Sequence, residues 1–320
     1  MRLLKKFKIV NFFFESFITL SESIFKPLSK ILDFFSNIRL IRRLIFNLIP
    51  RNKNILINTQ YGDYIFNTNS RIIAKKTFYK KIPYSASSVK NVLDILKKED
   101  IKINYFIDIG SNVGTSSISA SFMDNKLKFI CIEGNEDNFE LLTTNVKINN
   151  LEDRFSLENI LVGENNQSRI FVEFIEEKGC SRVFEDKDEL NRYINEFGFS
   201  INKTTEVTTK KLEEIIDNVN DENLFLWIDL EGLDLEILNS EISNKLFPIY
   251  FEFNPTFYKI KFKEYKNYIK KVESHLINCG YKYYFAEANS LKKETVEPSF
   301  LLNLISSVGE NKASTNILLI

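Results

Sequence analysis

Two glycines and a carboxylate in this sequence have a spacing that suits a ligand site. The segment FIDIGSNVGT, residues 106–115, runs from an apolar stretch into a turn that contains Gly110 and Gly114. Glycine adopts a positive φ at no steric cost and carries no side chain, so this backbone can approach a ligand closely. The next apolar stretch ends at Glu133, 23 residues after Gly110. An acid at that place can accept hydrogen bonds from both hydroxyls of a ribose.

The glycine spacing separates this turn from two other nucleotide-binding motifs. It lacks the middle glycine of Gly-x-Gly-x-x-Gly, and no Gly-Lys-Ser/Thr follows it. By itself, the pattern Gly-x-x-x-Gly is equally compatible with a purely structural turn. Together with Asp108 before it and Glu133 after it, the turn favours a ligand site over a chance arrangement.

The elements that must position these residues alternate between strands and helices. Near-continuous apolar segments predict strands at 104–109, 128–133, 154–159, 224–230 and 248–253, and helices are predicted at 114–123, 136–149, 209–218, 231–240 and 263–279. Buried strands separated by helices are typical of an α/β fold with a doubly wound, mostly parallel Rossmann-like sheet. In such a sheet, ligands bind beyond the carboxyl ends of the strands.

The remaining segments extend this core on both sides. Residues 51–100 are predicted to form a hairpin over 55–66, with Gly62 and Asp63 in its turn, and a helix over 87–98. The main domain is predicted to span 101–320. Further strands are expected at 169–175, 281–288 and 316–320.

A polar insert at 176–206 interrupts the main domain. Its segment KDELNRYINEF is predicted to be a helix with few apolar positions to bury. The insert is interpreted either as a lid over an acceptor site or as a surface elaboration. Arg182 and Arg192 are candidates for reading a charged acceptor.

The N-terminal segment is strongly basic. Residues 1–53 carry eleven Lys/Arg and three Asp/Glu, so with a whole-chain net charge of zero the other residues carry −8. Apolar residues at helical spacing predict two amphipathic helices within residues 1–50. No apolar run reaches the roughly 18–20 residues that span a bilayer. The helices are interpreted as a cap or homo-oligomer contact, as a peripheral anchor on an anionic inner leaflet, or as a cleaved signal.

Composition narrows the class of protein. Hydrophobic residues make up 44% of the chain and charged residues 27%, as in ordinary folded domains. Three well-separated cysteines without a CxxC pair favour a reducing compartment, and we predict a cytoplasmic location. The single histidine, His275, excludes zinc sites that need two histidines and is interpreted as structural. The acidic main body argues against nucleic acid as a partner.

Four segments, in order, resemble one family. They are FIDIGSNVGTSS, ICIEGNEDNFELLTTNVKINN, LFLWIDLEGLDLEIL and IYFEFNP. They are similar to class I S-adenosylmethionine-dependent methyltransferases, most of all to the FkbM type. The matching positions are Asp108, Gly110, Asn112, Gly114, Glu133, Leu141, Asn145, Asp229, Glu231, Gly232, Glu252 and Pro255. The resemblance covers about residues 108–285, and Gly134 stands where the family usually has proline.

The resemblance implies S-adenosylmethionine as the cofactor. Asp108 is then expected to orient the methionine amino group, the backbone near Gly110 to hold the methionine carboxylate, and Glu133 to bind the ribose. Adenine is expected near the third strand, within reach of Glu158 or Asn159. The implied cofactor-binding residues are Asp108, Gly110, Ser111, Asn112, Gly114, Glu133 and Asn159.

Catalysis is expected at the ends of the fourth and fifth strands. Asp229 is the candidate base or metal ligand, with Glu231 as its partner and Glu252 nearby. Two adjacent carboxylates raise each other's pKa, which suits a base near neutral pH. The alternative for Glu231 is that it caps the following helix. A divalent cation is possible, but nothing in the sequence defines its ligands.

The resemblance implies O-methylation of a hydroxyl on a sugar, glycan or glycolipid precursor. The segment NPTFY at 254–258 resembles the Asn-Pro-Pro-Tyr turn of nitrogen-directed methyltransferases, but it lacks the second proline and follows the fifth strand rather than the fourth. Two other functions are compatible with the sequence. One is a non-catalytic binding subunit with the same fold, and the other is a membrane-associated helical adaptor that acts through residues 1–50.

Overall fold

A central eight-stranded sheet organises the chain. The computed structural model describes residues 39–163, 166–175, 181–219, 221–308 and 314–320. Two amphipathic helices were predicted at about 3–25 and 27–48; the part before residue 39 lies outside these ranges, and residues Arg39–Leu48 form a helix as predicted. None of the helices within them is long and apolar enough to cross a membrane.

The helices and strands follow in this order along the chain. They are α1 (Arg39–Leu48), β1 (Asn54–Thr59), β2 (Gly62–Asn67), α2 (Arg71–Lys80), α3 (Ala86–Lys98), β3 (Tyr105–Ile109), α4 (Thr115–Met123), β4 (Lys128–Ile132), α5 (Glu136–Ile148), β5 (Phe155–Glu158), β6 (Val162–Gly163), β7 (Ser168–Phe174), β8 (Arg182–Phe184), α6 (Lys187–Phe197), β9 (Ile201–Thr208), β10 (Lys210–Lys211), α7 (Leu212–Ile216), β11 (Leu224–Ile228), α8 (Asp234–Leu238), β12 (Ile249–Phe253), α9 (Pro255–Lys261), α10 (Tyr265–Cys279), β13 (Tyr283–Ala286), β14 (Lys293–Thr295), α11 (Phe300–Val308) and β15 (Thr315–Leu319).

The strand order across the sheet is β14-β13-β15-β12-β11-β3-β4-β5. The five strands from β12 to β5 run parallel, and β15, β13 and β14 complete one edge with antiparallel pairing. This architecture confirms the predicted α/β, mostly parallel sheet. The chain moves outward from β3 to β5 on one side and then continues from β11 to β12 on the other. The boundary between β3 and β11 is therefore the switch point at which such sheets bind ligands.

Two apolar layers cover the two faces of the sheet. Successive side chains of a strand point to opposite faces, so Ile107 and Ile109 pack in one layer, with α8, α10 and α11. Phe106 packs in the other layer with Phe129 and Trp227, under α3, α4 and α5. The alternation of apolar strands and amphipathic helices in the sequence therefore specifies a three-layer fold.

The β1–β2 hairpin packs on this second layer. Its turn consists of Gln60 and Tyr61, whereas Gly62 begins β2, so the prediction that Gly62 and Asp63 form the turn is wrong. Gly62 has φ 99°, and a Cβ there would lie 2.7 Å from the ring of Phe122. The positive φ at the end of the turn and the close packing against α4 together account for the glycine.

Residues 168–208 form a separate three-stranded antiparallel sheet, β8-β7-β9, together with α6. On α6, Leu190 and Tyr193 are buried against Phe174 and Phe184, next to Phe257. The expectation that this helix has little to bury is wrong, because the segment has an aromatic core of its own. Residues 176–180 of the predicted insert lie outside the described ranges.

Candidate active site

A cavity of about 550 Å³ opens at the carboxyl ends of the parallel strands. Gly110, Glu133, Asp229 and Glu252, which follow or end β3, β4, β11 and β12, all border it. The register pairs Ile228 with Phe251, so Asp229 and Glu252 lie next to each other across the two strands. A cavity of this size suits a small-molecule ligand.

The glycine turn touches the end of β11. Gly110 has φ 86°, and a Cβ on it would lie only 2.0 Å from the carbonyl oxygen of Asp229. Gly114 also has φ 86°, and a Cβ there would lie 2.8 Å from Leu142 Cδ1 on α5. Because Gly110 and Gly114 have no Cβ, the turn can pack closely between the end of β11 and α5.

Two backbone amides of this turn donate hydrogen bonds to the neighbouring strand β4. The N–H groups of Gly110 and Ser111 both donate to the carbonyl oxygen of Ile132, each at 2.9 Å. These two amides are therefore not directed at a ligand, contrary to the expectation that the backbone near Gly110 holds a carboxylate. Ser111 and Asn112 still border the cavity, as do Thr115 and Ser116 at the start of α4.

Glu133 lies beside this turn, as the sequence predicts. Its Oε1 accepts a hydrogen bond from the N–H of Asn135, and its Oε2 accepts one from the N–H of Asn112, both at 2.8 Å. The side chain is largely buried but borders the cavity. Burial raises the pKa of Glu133 to about 7, although the two amides favour the ionised form. The Asn138 side chain also hydrogen-bonds to Glu133, and the carboxylate still has acceptor capacity for a ligand hydroxyl.

Asp108 lies beneath the cavity rather than on its wall. The residue is completely buried, and its Oδ2 accepts hydrogen bonds from Ser116 Oγ at 2.5 Å and from the N–H of Ser117 at 3.2 Å. Burial raises the pKa of Asp108 to about 6. Its observed contacts therefore order the start of α4, and the structure does not bring it into the cavity for the expected direct contact with a cofactor.

Asn159 does not border the cavity either. Its amide donates to the carbonyl oxygen of Glu133 at 2.8 Å and so positions the Glu133 backbone. The loop after β5 and the start of β6 instead contribute Leu161 and Val162 to the cavity wall. A Cβ on Gly134 would lie 2.1 Å from Leu161 Cδ2, so glycine at this position makes room for that wall.

Asp229 and Glu252 form an acidic pair on the cavity wall. The Asp229 side chain is exposed to the cavity but sits in a recess of the protein. Removal from bulk water, followed by the charge of Glu252, raises the pKa of Asp229 well above its usual range. Burial also raises the pKa of Glu252, while Ser314 and Arg182 oppose this shift.

Glu231 is held in the cavity by an unusual turn. Glu231 and Gly232 have φ values of 52° and 104°, both in the left-handed region. The Asp234 carboxylate accepts hydrogen bonds from the N–H groups of Gly232 at 3.0 Å and of Leu230 at 3.4 Å. The predicted helix is present but begins only at Asp234, so its predicted start at residue 231 and the alternative that Glu231 caps it are wrong. Sequence reasoning missed this role of Asp234.

Arg182 is the basic group on the acidic side of the cavity. Its guanidinium lies 3.7 Å from the ring centroid of Phe257 and 4.5 Å from that of Tyr193, in cation–π geometry. A Cβ on Gly232 would lie 2.7 Å from its Nη2. Arg192, the other candidate, donates to the carbonyl oxygens of Ile260 and Lys261 instead. Of these two arginines, Arg182 borders the cavity and Arg192 does not.

Comparison with known proteins was decisive for the family. A model described as the methyltransferase FkbM domain matches residues 108–283, which is more than half of the 320 residues. The chain belongs to the FkbM methyltransferase family. No curated protein matches it in sequence.

Solved structures resemble this FkbM-family chain in fold alone. The precorrin-6y C5,15-methyltransferase of Geobacter metallireducens GS-15 has 12% identity and a TM-score of 0.36, over 73% of this chain and 85% of its own. The methyltransferase domain of human METTL16 has 13% identity and a TM-score of 0.39, over 74% and 67%. The Pyrococcus abyssi tRNA (uracil-54, C5)-methyltransferase, in complex with S-adenosyl-L-homocysteine, has 14% identity and a TM-score of 0.38, over 83% and 44%.

One motif residue of this FkbM-family protein has a structural role. Asn145 donates from its amide to the carbonyl oxygen of Val113 at 2.9 Å and accepts from the N–H of Ile65 at 2.6 Å. It thereby ties the glycine turn to the β1–β2 hairpin across α5. The side chain is completely buried and does not border the cavity.

A second polar wall of the cavity was missed by sequence reasoning. Glu287 Oε1 accepts hydrogen bonds from Ser88 Oγ at 2.7 Å and from the Tyr250 hydroxyl at 2.9 Å, and its Oε2 accepts one from Asn316 at 3.1 Å. Tyr250 also stacks on Trp227, with ring centroids 4.0 Å apart. Because β13 and β12 both pair antiparallel with β15, their carboxyl ends meet at one edge. An acid near the end of the predicted strand 281–288 was the signal that could have revealed Glu287.

A metal site gains no support from the geometry. Across the ranges that the model describes, no three His, Cys, Asp or Glu side chains are grouped as a metal ion would need. We therefore treat the carboxylates of the cavity as proton acceptors and hydrogen-bond acceptors, and assign no cation to them.

Proposed function

We propose that this FkbM-family protein is an S-adenosylmethionine-dependent O-methyltransferase that acts on a hydroxyl of a sugar, glycan or glycolipid precursor. One observation carries the proposal. The adjacent carboxylates Asp229 and Glu252 border the same cavity as Glu133, which lies beside the glycine turn. A nucleoside-binding carboxylate and an acidic pair with raised pKa values thus share one cavity.

The residues at the β3 and β4 ends fit S-adenosylmethionine. The Glu133 carboxylate would accept hydrogen bonds from the ribose, and Leu161 would offer an apolar surface to the adenine ring. The hydroxyls of Ser111 and Thr115 would serve the polar methionine end. When bound, the cofactor supplies an activated methyl group. The chain's contribution is to orient the reactants and to keep water away from them.

The acidic pair supplies the proton acceptor. An aliphatic hydroxyl must lose its proton as it gains a methyl group, and a positioned carboxylate can take that proton. Asp229 is the residue we assign to this step, because its raised pKa makes it a stronger base than an ordinary aspartate. Glu252 next to it raises that pKa further. Glu231 borders the same part of the cavity and would help to hold the acceptor.

The second wall favours an acceptor with several hydroxyls. Glu287, Asn316 and Ser88 present carboxylate, amide and hydroxyl groups to the cavity, beside the rings of Tyr250 and Trp227. A sugar displays hydroxyls along its edge and apolar C–H groups on its faces. Carboxylates and amides hydrogen-bond the former, and aromatic rings pack against the latter.

A labelled-methyl transfer screen tests the proposal. The purified protein is incubated with S-adenosylmethionine carrying an isotopic methyl label and a panel of nucleotide sugars, glycosides and short oligosaccharides. We expect label on an acceptor oxygen, seen as an O-methyl signal by NMR, and loss of transfer in Asp229→Asn. Transfer only to nitrogen or carbon, or full activity in Asp229→Asn, would contradict the assignment. Binding of S-adenosylhomocysteine without transfer to any acceptor would favour the non-catalytic alternative.

A further inference from the structure

The region before the main domain exposes an unusual amount of apolar surface. Half of the exposed large apolar side chains in the described part of the chain lie between residues 44 and 84. They are Leu44, Ile45, Leu48, Leu56, Ile72, Ile82 and Tyr84, and Leu48 is 81% exposed. Exposed apolar side chains gathered in one region mark an interaction surface.

The same region concentrates positive charge. Residues 39–81 contain ten Lys/Arg and a single acid, Asp63, in a chain whose totals are 43 and 43. Burial and then the nearby charge of Arg42 lower the pKa of Lys81. The like charges of α1 and α2 are therefore close enough to repel each other, and an anionic partner would relieve that repulsion.

The elements that carry these residues pack against each other, and part of the region reaches the cavity. Helices α1 and α2 pack through Phe46 and Phe78, whose ring centroids are 5.6 Å apart. The far end of this surface borders the cavity through Ile72, Lys76, Lys80, Ile82 and Tyr84. Lys76 Nζ lies 4.8 Å from the ring centroid of Tyr84, which joins α2 to the loop after it. We call residues 39–84 the α1–α2 surface.

We propose that the α1–α2 surface docks on an anionic lipid bilayer, with the cavity mouth at the level of the headgroups. Aliphatic side chains enter the interface between headgroups and acyl chains, while lysine and arginine reach the anionic headgroups. Six of the seven exposed apolar residues in the region are aliphatic, whereas single-stranded nucleic acids are bound by stacking on aromatic rings. The composition therefore favours a bilayer over a nucleic acid.

The docked orientation would allow the acceptor to be a membrane lipid; this part of the inference rests on the proposed function. Ile72 and Ile82 stand at the mouth of the cavity, so an acceptor sugar attached to a lipid could reach Asp229 while its tail remained in the bilayer. Docking itself does not depend on methyl transfer, so the two proposals can fail separately.

Vesicle flotation with the full chain tests the docking. Vesicles of phosphatidylcholine mixed with phosphatidylglycerol are compared with vesicles of phosphatidylcholine alone. We expect the protein to float with the anionic vesicles, and the double variant Lys76→Glu with Lys80→Glu to lower the bound fraction roughly tenfold or more. The matched control is Lys270→Glu with Lys271→Glu on α10, two exposed lysines that lie across the sheet, and it should float like the native chain.

The apolar part of the surface is tested separately. Ile72→Ser removes a side chain that is 48% exposed, and Leu246→Ser removes one that is 49% exposed on the α10 side. Only Ile72→Ser should weaken flotation. Arg43→Glu, at another exposed position, repeats the charge test if the double variant loses its native circular dichroism. Equal flotation of the native chain and the surface variants, or binding to RNA but not to vesicles, would overturn the proposal.

Discussion

The carboxylate of Glu133, after β4, accepts a 2.8 Å hydrogen bond from the backbone N–H of Asn112, in the turn after β3. This contact joins the acid at one strand end to the glycine turn at its neighbour. Asn112 itself has φ 52°, in the left-handed region, where asparagine is better tolerated than most residues. The bond thus stabilises an uncommon backbone conformation next to a carboxylate that borders the cavity.

Replacing this carboxylate should weaken cofactor binding. We expect Glu133→Gln to lower the affinity for S-adenosylhomocysteine at least roughly tenfold, because one acceptor oxygen becomes a donor amide. Isothermal titration calorimetry measures the change. Glu158, the other residue expected near adenine, lies at the exposed end of β5 and does not border the cavity. Glu158→Gln is therefore the control and should bind like the native chain. Equal affinities in the two variants would remove Glu133 from the site.

Cofactor affinity should depend on pH through the same residue. The pKa of Glu133 in the free protein is about 7, and ribose hydroxyls bind the ionised form better. Binding should therefore release a proton below that pKa, and affinity should rise as the pH increases toward 7 and level off above it. Calorimetry in buffers of different ionisation enthalpy counts the protons. Glu133→Gln should abolish this release, and a release unchanged in that variant would assign it to another group.

The glycine turn should not tolerate a methyl group at its first glycine. In Gly110→Ala, the new Cβ would meet the Asp229 carbonyl oxygen at 2.0 Å, and backbone atoms cannot move aside at low cost. We expect a loss of at least about 3 kcal/mol in the free energy of unfolding. Gly198→Ala is the control, since Gly198 also has a positive φ of 69° but no atom within 4 Å of its Cβ position. That control should lose only about 1 kcal/mol in chemical denaturation.

If both glycine variants lost the same free energy, the left-handed conformation alone would explain the effect. The close approach of Gly110 to the Asp229 carbonyl oxygen would then contribute nothing further to the free energy lost. Cofactor binding gives an independent reading, because only Gly110→Ala displaces the Asp229 backbone at the cavity.

Removing the proposed base should affect turnover and not cofactor binding. Asp229→Asn keeps the size of the side chain and removes its basic oxygen, so kcat should fall about 100-fold to 10,000-fold on an acceptor found in the transfer screen. The affinity for S-adenosylhomocysteine should change less than about threefold. The native rate should rise with pH as Asp229 ionises, since its pKa is raised. A variant that loses cofactor affinity and turnover together would point to a structural role for Asp229.

The sequence predicted those cavity-lining residues that lie at the ends of recognisable strands. Glu133, Asp229 and Glu252 were found because each lies at the end of an apolar run, and parallel strands bring such ends to one edge. Asp108 and Asn159 satisfied the same pattern but lie outside the cavity wall. The alternation of side chains along a strand predicts which face of the sheet each side chain lies on. It does not predict whether another residue lies between that side chain and the cavity.

The conformation of the turn after β11 could not be predicted from sequence patterns. The segment DLEGLDLEIL reads as a helix from residue 231, yet Glu231 and Gly232 are left-handed and the helix begins at Asp234. The Asp234 carboxylate bonds two amides of the turn, and this local alternative outweighs helix propensity. Such competition depends on a few hydrogen bonds whose geometry exists only in the folded chain.

The sequence by itself determined the layered α/β fold, the order in which the motifs follow the parallel strands, and the carboxylates at the strand ends. These features depend on hydrophobic periodicity and glycine positions, which are local properties of the chain. Only the tertiary structure decided which side chains face the cavity and which lie behind it. It also joined Glu287 from the antiparallel edge to Ser88 from α3, and placed the basic α1–α2 surface at the mouth. These relationships join residues far apart in sequence, and the packing of whole layers, rather than any local pattern, sets the distances between them.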